Sequence, residues 1–563
     1  MFILTEKISR RKYLKYAGAG IVAVAGAAAG AYYYSQPKPT ATTTAETTVA
    51  TVLTGEKKKT LIVGSQLSSL FSCDPAKAMP EGTKVVTNNC YDRLLRMDPP
   101  EYKIEPCLAE SHEISPDGLT YTFHLRKGVY FHTGNEVKAD AVRFTIERMR
   151  TMHPEFAASY LFGDAPIKEV NVVDDYTAEI VLETPFVPIL SLVANPAGAG
   201  IIDPAVMEHE KDGDAGSMWM DDHSVGAGPF MLKEWERDVR IVLERNPNYW
   251  KGPPELEEVT ILSVPESADQ RMMLSRGDID VALEVTFEDV KELRKDPNVN
   301  VVEFPSQEGF WLYLMISPFG KGKVPPFDNP KIRRALLLAT DWDGIIKGLY
   351  PSAVRWAGLP QGILGALSPE EVAEIMPYDP EKAKQLLREV GYKEGEGPEW
   401  IHIYSPGSYM GVRWEDMTLK VKSDWEKVGF KPIMELVPAG VFTNRMFAGQ
   451  WVSLVNNGGI LEYSDPDNGA SWWFHSGVGA SKRQGYDVSK LDALTEEART
   501  VADPVKRAEI YKEIVRKFYT DQDNPPCFVG ILQGTREIPM RKGVEGVLYD
   551  MFNMTYFAKA SKS

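Results

Sequence analysis

The 563 residues contain no CxxC pair, no HExxH, no GxSxG, no GxGxxG and no Walker-type loop. These absences remove zinc peptidase, serine hydrolase, nucleotide-binding and dinucleotide-binding signatures. His112-Glu113 and His209-Glu210 each lack the second histidine a zincin helix needs. The four cysteines, Cys73, Cys90, Cys107 and Cys527, do not sit at zinc-ligand spacing, so neither a metal nor a cofactor is expected. Two readings of them stay open: a disulfide, with Cys73 and Cys90 closing the shortest loop, or buried free thiols. Basic charge is also in deficit. Lys and Arg number 63 against 79 Asp and Glu, a formal charge of -16, which argues against nucleic acid as a partner because phosphate contacts need clustered cations. The same 79 acids keep one enzymatic reading alive, an exported hydrolase working through a carboxylate pair.

Charge is missing too from residues 17–34, a run rich in Ala, Gly and Val. SRRKYLK at 9–15 precedes it and looks like a twin-arginine export signal, with Tyr where Phe is common. Lys7, Arg10, Arg11, Lys12 and Lys15 hold that end in the cytoplasm, and the apolar run is long enough to span a bilayer. The bland alternative is a buried Ala-rich helix. No Cys closes the run, which excludes a lipid-modified cysteine and leaves either cleavage or a retained membrane tether. Residues 35–56 are mostly Thr, Ala, Pro and Val and read as a solvated stalk. The body is therefore expected outside the cell, against the outer face of the cytoplasmic membrane or secreted.

With 43% hydrophobic and 25% charged residues the remainder is globular and too long for one core. TLIVG at 60–64 reads as a buried strand ending in a glycine turn. LTYTFHLR at 119–126 alternates without error, so one face is buried and the other wet, between turns at Pro116-Asp117-Gly118 and Lys127-Gly128. Asp140 is expected to cap a helix that carries Val142, Ile146 and Met149 on one face. Asn329-Pro330 opens another with Ile332, Ala335, Leu336 and Ala339 inward. Asp379-Pro380 opens a third with Ala383, Leu386, Leu387 and Val390, ended by Gly391. Strands and helices are mixed along the chain, which predicts an α/β architecture with more than one sheet.

These landmarks resemble the extracellular solute-binding proteins of family 5, the dipeptide, oligopeptide and nickel binders of ABC importers. LAESHEISPDGLTYTF at 108–123 through FHTG at 131–134 is similar to the family's signature region, with His112 where Trp is usual. GAGPF at 226–230, ERNPNYW at 244–250, DNPKIRRAL at 328–336, YDPEKA at 378–383, and YDV with DAL at 486–494 follow in the family's order. The resemblance covers residue 57 to nearly the end. It implies an α/β, two-lobed periplasmic-binding-protein-like fold of class II, the large peptide-binder type, with a hinge and an interlobe ligand cleft. Its implied divisions are lobe I at 57–305, with a subdomain at about 91–225, lobe II at 306–524, and a return to lobe I at 525–563. It also implies a monomer that closes on a small ligand and docks on the transmembrane subunits of an ABC permease, without catalysis.

In the family's peptide binders an acid a few positions before Asp-Pro holds the peptide's ammonium. The matching stretch is GILEYSDPD at 459–467, which places Glu462 there, with Tyr463 and Asp465 beside it. Dipeptide binders also carry an arginine for the ligand carboxylate near the start of a helix. Here Glu415 and Asp416 occupy that place with Arg413 slightly displaced, which weakens a dipeptide and leaves longer peptides. Trp311, Trp414, Trp451, Trp472 and Trp473 fall in the expected lobe II. Indole faces suit sugar rings as well as peptide side chains, so an oligosaccharide is the rival of an oligopeptide. The candidate ligand-binding set is Glu462, Tyr463, Asp465, Trp451, Trp472, Trp473, Trp311 and Arg413. Nickel ranks below both, since His475 stands alone.

Overall fold

The computed structural model describes residues 59–563 apart from 68–69, 79–80, 99–102, 152–161, 164, 196–197, 410–411, 459–462, 478–482 and 551–553. The export signal and stalk expected at 1–56 therefore lie outside the described residues. Among those described, no helix is long and apolar enough to cross a membrane.

Two α/β lobes are built on one continuous ten-stranded sheet. Thr60–Ser65 pairs in parallel with Glu258–Ser263, and Arg240–Arg245 and Phe230–Glu236 extend that side as antiparallel neighbours. These strands frame the lobe I core around Leu61, Val63, Phe230, Leu243 and Ile261. On the far side, Glu399–Tyr404 runs parallel to both Lys431–Leu436 and Ser453–Gly458. Those strands and their helices enclose the lobe II core around Trp311, Trp342, Trp400, Trp425 and Phe528. Between the lobes the sheet narrows to two antiparallel crossing strands, Val299–Leu314 outward and Phe528–Arg541 returning. The boundary expected at 306 falls inside the outward strand.

A peripheral subdomain projects from lobe I. Its four-stranded sheet comprises Ala109–Ile114, Thr120–Leu125, Thr177–Leu182 and Ile167–Asp174, in that spatial order. Thr120–Leu125 alternates half-buried and buried at every position, as its sequence predicts. The helix Ala139–Thr151 covers the sheet with Val142, Ile146 and Met149 inward. It begins one residue before the expected cap, so Asp140 sits inside its first turn and accepts from the Ala141 N–H at 2.9 Å. A first-turn carboxylate still faces the positive end of the helix. Asn329 and Asp379 cap Pro330–Ala339 and Pro380–Glu389, each accepting a first-turn N–H at 3.0 and 2.9 Å.

The crossing strands meet Trp356 where both carry glycine. A Cβ on Gly309 would lie 2.2 Å from the Leu532 carbonyl oxygen and 2.8 Å from the Trp356 ring; one on Gly530 would lie 2.3 Å from Trp356 Nε1. Only residues without side chains admit the indole there. Beside it the Gln533 amide donates to the Ser306 carbonyl at 2.6 Å and accepts from the Gln361 N–H at 2.7 Å. The pairing register shifts between Pro305 and Gly309 and again between Phe310 and Trp311. Such irregularities are where a strand pair bends.

Inside lobe II, His402 is fully buried and burial lowers its pKa to about 3. Its Nδ1 meets Ser453 Oγ at 2.7 Å, the same hydroxyl that accepts from Trp400 Nε1, while Nε2 has no partner among the described residues. An imidazolium would therefore bury an N–H without an acceptor. The unfolded chain binds this proton below pH of roughly 6.5 and the folded chain does not, so stability falls as pH drops through the window between the two values. Relative to the wild type, His402→Gln is expected to gain about 2 kcal/mol of stability between pH 7 and pH 5. Urea unfolding at both pH values checks this; parallel changes in the two proteins would show that His402 is not the titrating group.

Candidate ligand cleft

On the lobe II side, strand Ser453–Gly458 leads to residues 459–462, so Glu462 lies outside the described residues. The chain is described again at Tyr463, and Asp465 then caps the helix Pro466–Phe474, accepting from the Asp467 N–H at 2.9 Å. The Asp465 carboxylate also receives the Arg507 guanidinium bidentately at 2.6 and 2.7 Å, with both side chains about 5% exposed or less. Arg507 Nε donates to the Ala498 carbonyl at 2.8 Å. Burial alone would lower the Arg507 pKa, but the Asp465 charge and hydrogen bonds, joined by Tyr511 and Asp467, together raise it. Asp467 is paired next door with Arg499 at 2.7 Å and with Ser471 at 3.0 Å. Burial and then the charge of Asp465 raise the Asp467 carboxyl above its ordinary value despite Arg499. Asp465 thus has both oxygens engaged within lobe II, where it caps one helix and braces another.

The tryptophans divide in the same manner. Trp311 is fully buried and stacks on Trp473, itself 4% exposed, with centroids 4.1 Å apart. Tyr313 bridges that stack to Trp451, meeting Trp473 at 6.2 Å and Trp451 edge-on at 6.4 Å. Trp451 Nε1 donates to the Met446 carbonyl at 3.1 Å. Trp311, Trp451 and Trp473 are therefore brought together as a buried row, the first and last face to face and Trp451 joined edge-on through Tyr313. Trp472 is 46% exposed; consecutive helix positions are turned by about 100°, and the boundary between core and solvent falls between it and Trp473. Trp414 packs edge-on against Phe310 at 5.1 Å. Arg413 precedes the helix Trp414–Glu426, and its exposed guanidinium forks onto Asp416 at 2.7 and 2.8 Å. The Arg413 guanidinium is thus engaged by the first turn of the helix it precedes.

Lobe I presents the turn after Thr60–Ser65. Its Gln66 N–H and Ser65 hydroxyl both bond the Glu284 carboxylate at 3.0 Å. Further on, Asp74 is fully buried, caps the turn Pro75–Lys77, and takes Arg148 bidentately at 2.7 and 2.9 Å together with the Ser217 hydroxyl at 3.0 Å. Burial opposes ionisation of Asp74, yet Arg148 holds its carboxyl below the usual range. The four cysteines are free and buried, and burial pushes Cys90 and Cys107 up to about 12. Among the described residues no three His, Cys, Asp or Glu side chains converge as a metal set.

Contacts between the lobes bring together residues from distant segments. Tyr463 is 5% exposed and belongs to the subdomain's hydrophobic cluster with Tyr121, Phe123 and Ile180. The Val187 N–H donates to the Arg499 carbonyl at 2.8 Å. Burial raises the Tyr121 phenol and the Arg507 charge pulls it back, so that guanidinium is felt across the boundary. Arg499, Arg507, Tyr121 and Val187 were not legible as site residues because each is assigned only by which distant segment it meets.

A two-lobed α/β body joined by paired crossing strands, with lobes that meet face to face, defines the class of extracytoplasmic ligand-binding proteins. The chain belongs to the bacterial extracellular solute-binding proteins, family 5, whose "Middle" model matches residues 103–481. It is 28% identical over 518 residues to the probable D,D-dipeptide-binding periplasmic protein of Escherichia coli K12, covering 89% of this chain and 95% of that one. It is 33% identical over 463 residues to heme-binding protein A of Haemophilus influenzae, covering 77% and 80%. Among solved structures it is similar to HbpA2 from Haemophilus parasuis, with a TM-score of 0.75 and 26% identity over 90% of this chain and 100% of that chain.

Arg507→Met leaves the Asp465 carboxylate buried without its cation and is expected to cost about 3–5 kcal/mol of stability. Adding Asp465→Asn should recover a large part of that loss, because the stranded charge is then gone. Urea unfolding of both variants checks the coupling; strictly additive losses would show that the two side chains act independently.

Proposed function

We propose that this protein is the solute-binding component of an ABC importer, capturing oligopeptides outside the cytoplasmic membrane and delivering them to the permease. The single observation that carries the reading is family 5 membership over residues 103–481, joined to a two-lobed body whose sheet narrows to the two crossing strands. A ligand that touches both lobes stabilises the closed form by its differential affinity for it, and the permease reads that form. In this reading Glu462 supplies the carboxylate that receives the peptide ammonium, a charge-assisted contact. Its place in the sequence three residues before Asp465-Pro466 supports the role. Residues 17–34 hold the body at the membrane, with residues 35–56 as the spacer. The exposed face of Trp472 is the feature that favours an oligosaccharide as the second reading.

Thermal shift distinguishes the ligand classes, because a ligand bound only by the folded state raises the melting temperature by mass action. A mixed tri- to hexapeptide library is expected to raise it, and oligosaccharides and heme are not. Glu462→Gln is expected to reduce the peptide shift strongly and leave the unliganded melting temperature unchanged. A shift with sugars or heme alone would overturn the peptide assignment, and a peptide shift untouched by Glu462→Gln would remove that residue from the site.

A further inference from the structure

Away from the crossing strands, three separate segments of lobe II converge on the subdomain of lobe I. The Arg499 carbonyl accepts from the Val187 N–H at 2.8 Å. Tyr463 places its ring in the subdomain's own hydrophobic cluster and is 5% exposed. Arg507 acts electrostatically on Tyr121, which lies in that same cluster. The lobe II side of this contact is braced by bonds made wholly within lobe II. Arg499 is held by Asp467 and Ser471, at 2.7 and 2.6 Å. Arg507 is held by Asp465, the Ala498 carbonyl and the Tyr511 hydroxyl, at 2.6, 2.8 and 3.1 Å. Two carboxylates two residues apart thus fix two arginines eight residues apart, and the backbone between those arginines is presented as a rigid shelf.

We infer that this contact is a closure latch, a docking surface between lobe II and the subdomain that favours the closed form whatever ligand the cleft holds. The inference rests on lobe closure as the binding mode, and it assigns to Tyr463 a seat in the opposite lobe in place of a ligand contact. Its signature follows from population arithmetic. Apparent affinity is the intrinsic affinity scaled by the fraction of molecules in the competent form, so a latch lost from the apo equilibrium weakens every ligand by one common factor. A residue that touches the ligand changes affinities by factors that depend on the ligand.

The test uses the full chain, with spin labels on Val173→Cys in the subdomain and Leu436→Cys in lobe II, each 56% exposed in the parent; the four native thiols are buried. Without added ligand, Tyr463→Ala and, separately, Val187→Pro are expected to shift the inter-label distance distribution to longer values. Val187→Pro removes the one N–H donor and leaves every side chain of lobe II in place, which keeps the inference testable if Tyr463→Ala does not fold. Affinities for two peptides of unlike sequence from the library should fall together in each variant, by about tenfold. Unchanged distance distributions would overturn the latch, and unequal losses in Tyr463→Ala would return that residue to the ligand. A protein that binds no peptide would sink the proposed ligand while the distance measurement still decides the latch.

Discussion

The two crossing strands run side by side from Val299 opposite Arg541 to Tyr313 opposite Phe528, and every larger feature of the protein is hung on that pairing. Because the strands satisfy each other's backbone groups, the connection between lobes can bend without exposing unpaired N–H and C=O groups. Their ends are rooted in different cores: Phe304 and Ile538 in lobe I, Phe310 and Leu532 in lobe II. Bending is thereby confined to the short stretch between, where the register is irregular and Trp356 lies against Gly309 and Gly530. A two-point attachment of this kind permits one motion, rotation of one lobe on the other, which is the motion a binding cleft needs.

Buried charge supplies the second organising feature. Asp74 with Arg148, Asp465 with Arg507, and Asp467 with the part-exposed Arg499 each join segments far apart in sequence, and in the first two, which are forked, the carboxylate also opens a local turn or helix. Taking such pairs out of water is costly, and an apolar replacement is often no less stable. What a forked Arg–carboxylate pair does supply is a fixed orientation. The first pair ties the turn Pro75–Lys77 to the subdomain helix Ala139–Thr151, and the other two hold the shelf on which the subdomain rests.

The fold was largely legible in the residues, and the site much less so. LTYTFHLR at 119–126 announced a half-buried strand because alternation depends only on neighbours, and the structure has it as Thr120–Leu125. Asn329-Pro330 and Asp379-Pro380 announced helix starts for the same reason. The aromatic residues shared no such locality. Trp472 and Trp473 are adjacent, equally apolar, and differ in fate only through which side of one helix meets Trp311. Asp465 read as part of a ligand motif, yet its oxygens are taken by an arginine 42 positions later, a spacing that signals nothing by itself.

Local chemistry alone determined the strands, the capped helices, the acidic and uncharged-leader composition, and the ordered blocks that mark family 5. Those features arise from periodicities of two and 3.6 residues and from turn chemistry, all of which act over a few positions. Only the tertiary structure decided which aromatics are core, which acids brace arginines, and that Tyr463 is seated in the opposite lobe. The physical reason is that burial and pairing belong to contacts between distant segments, and the crossing strands set which segments meet.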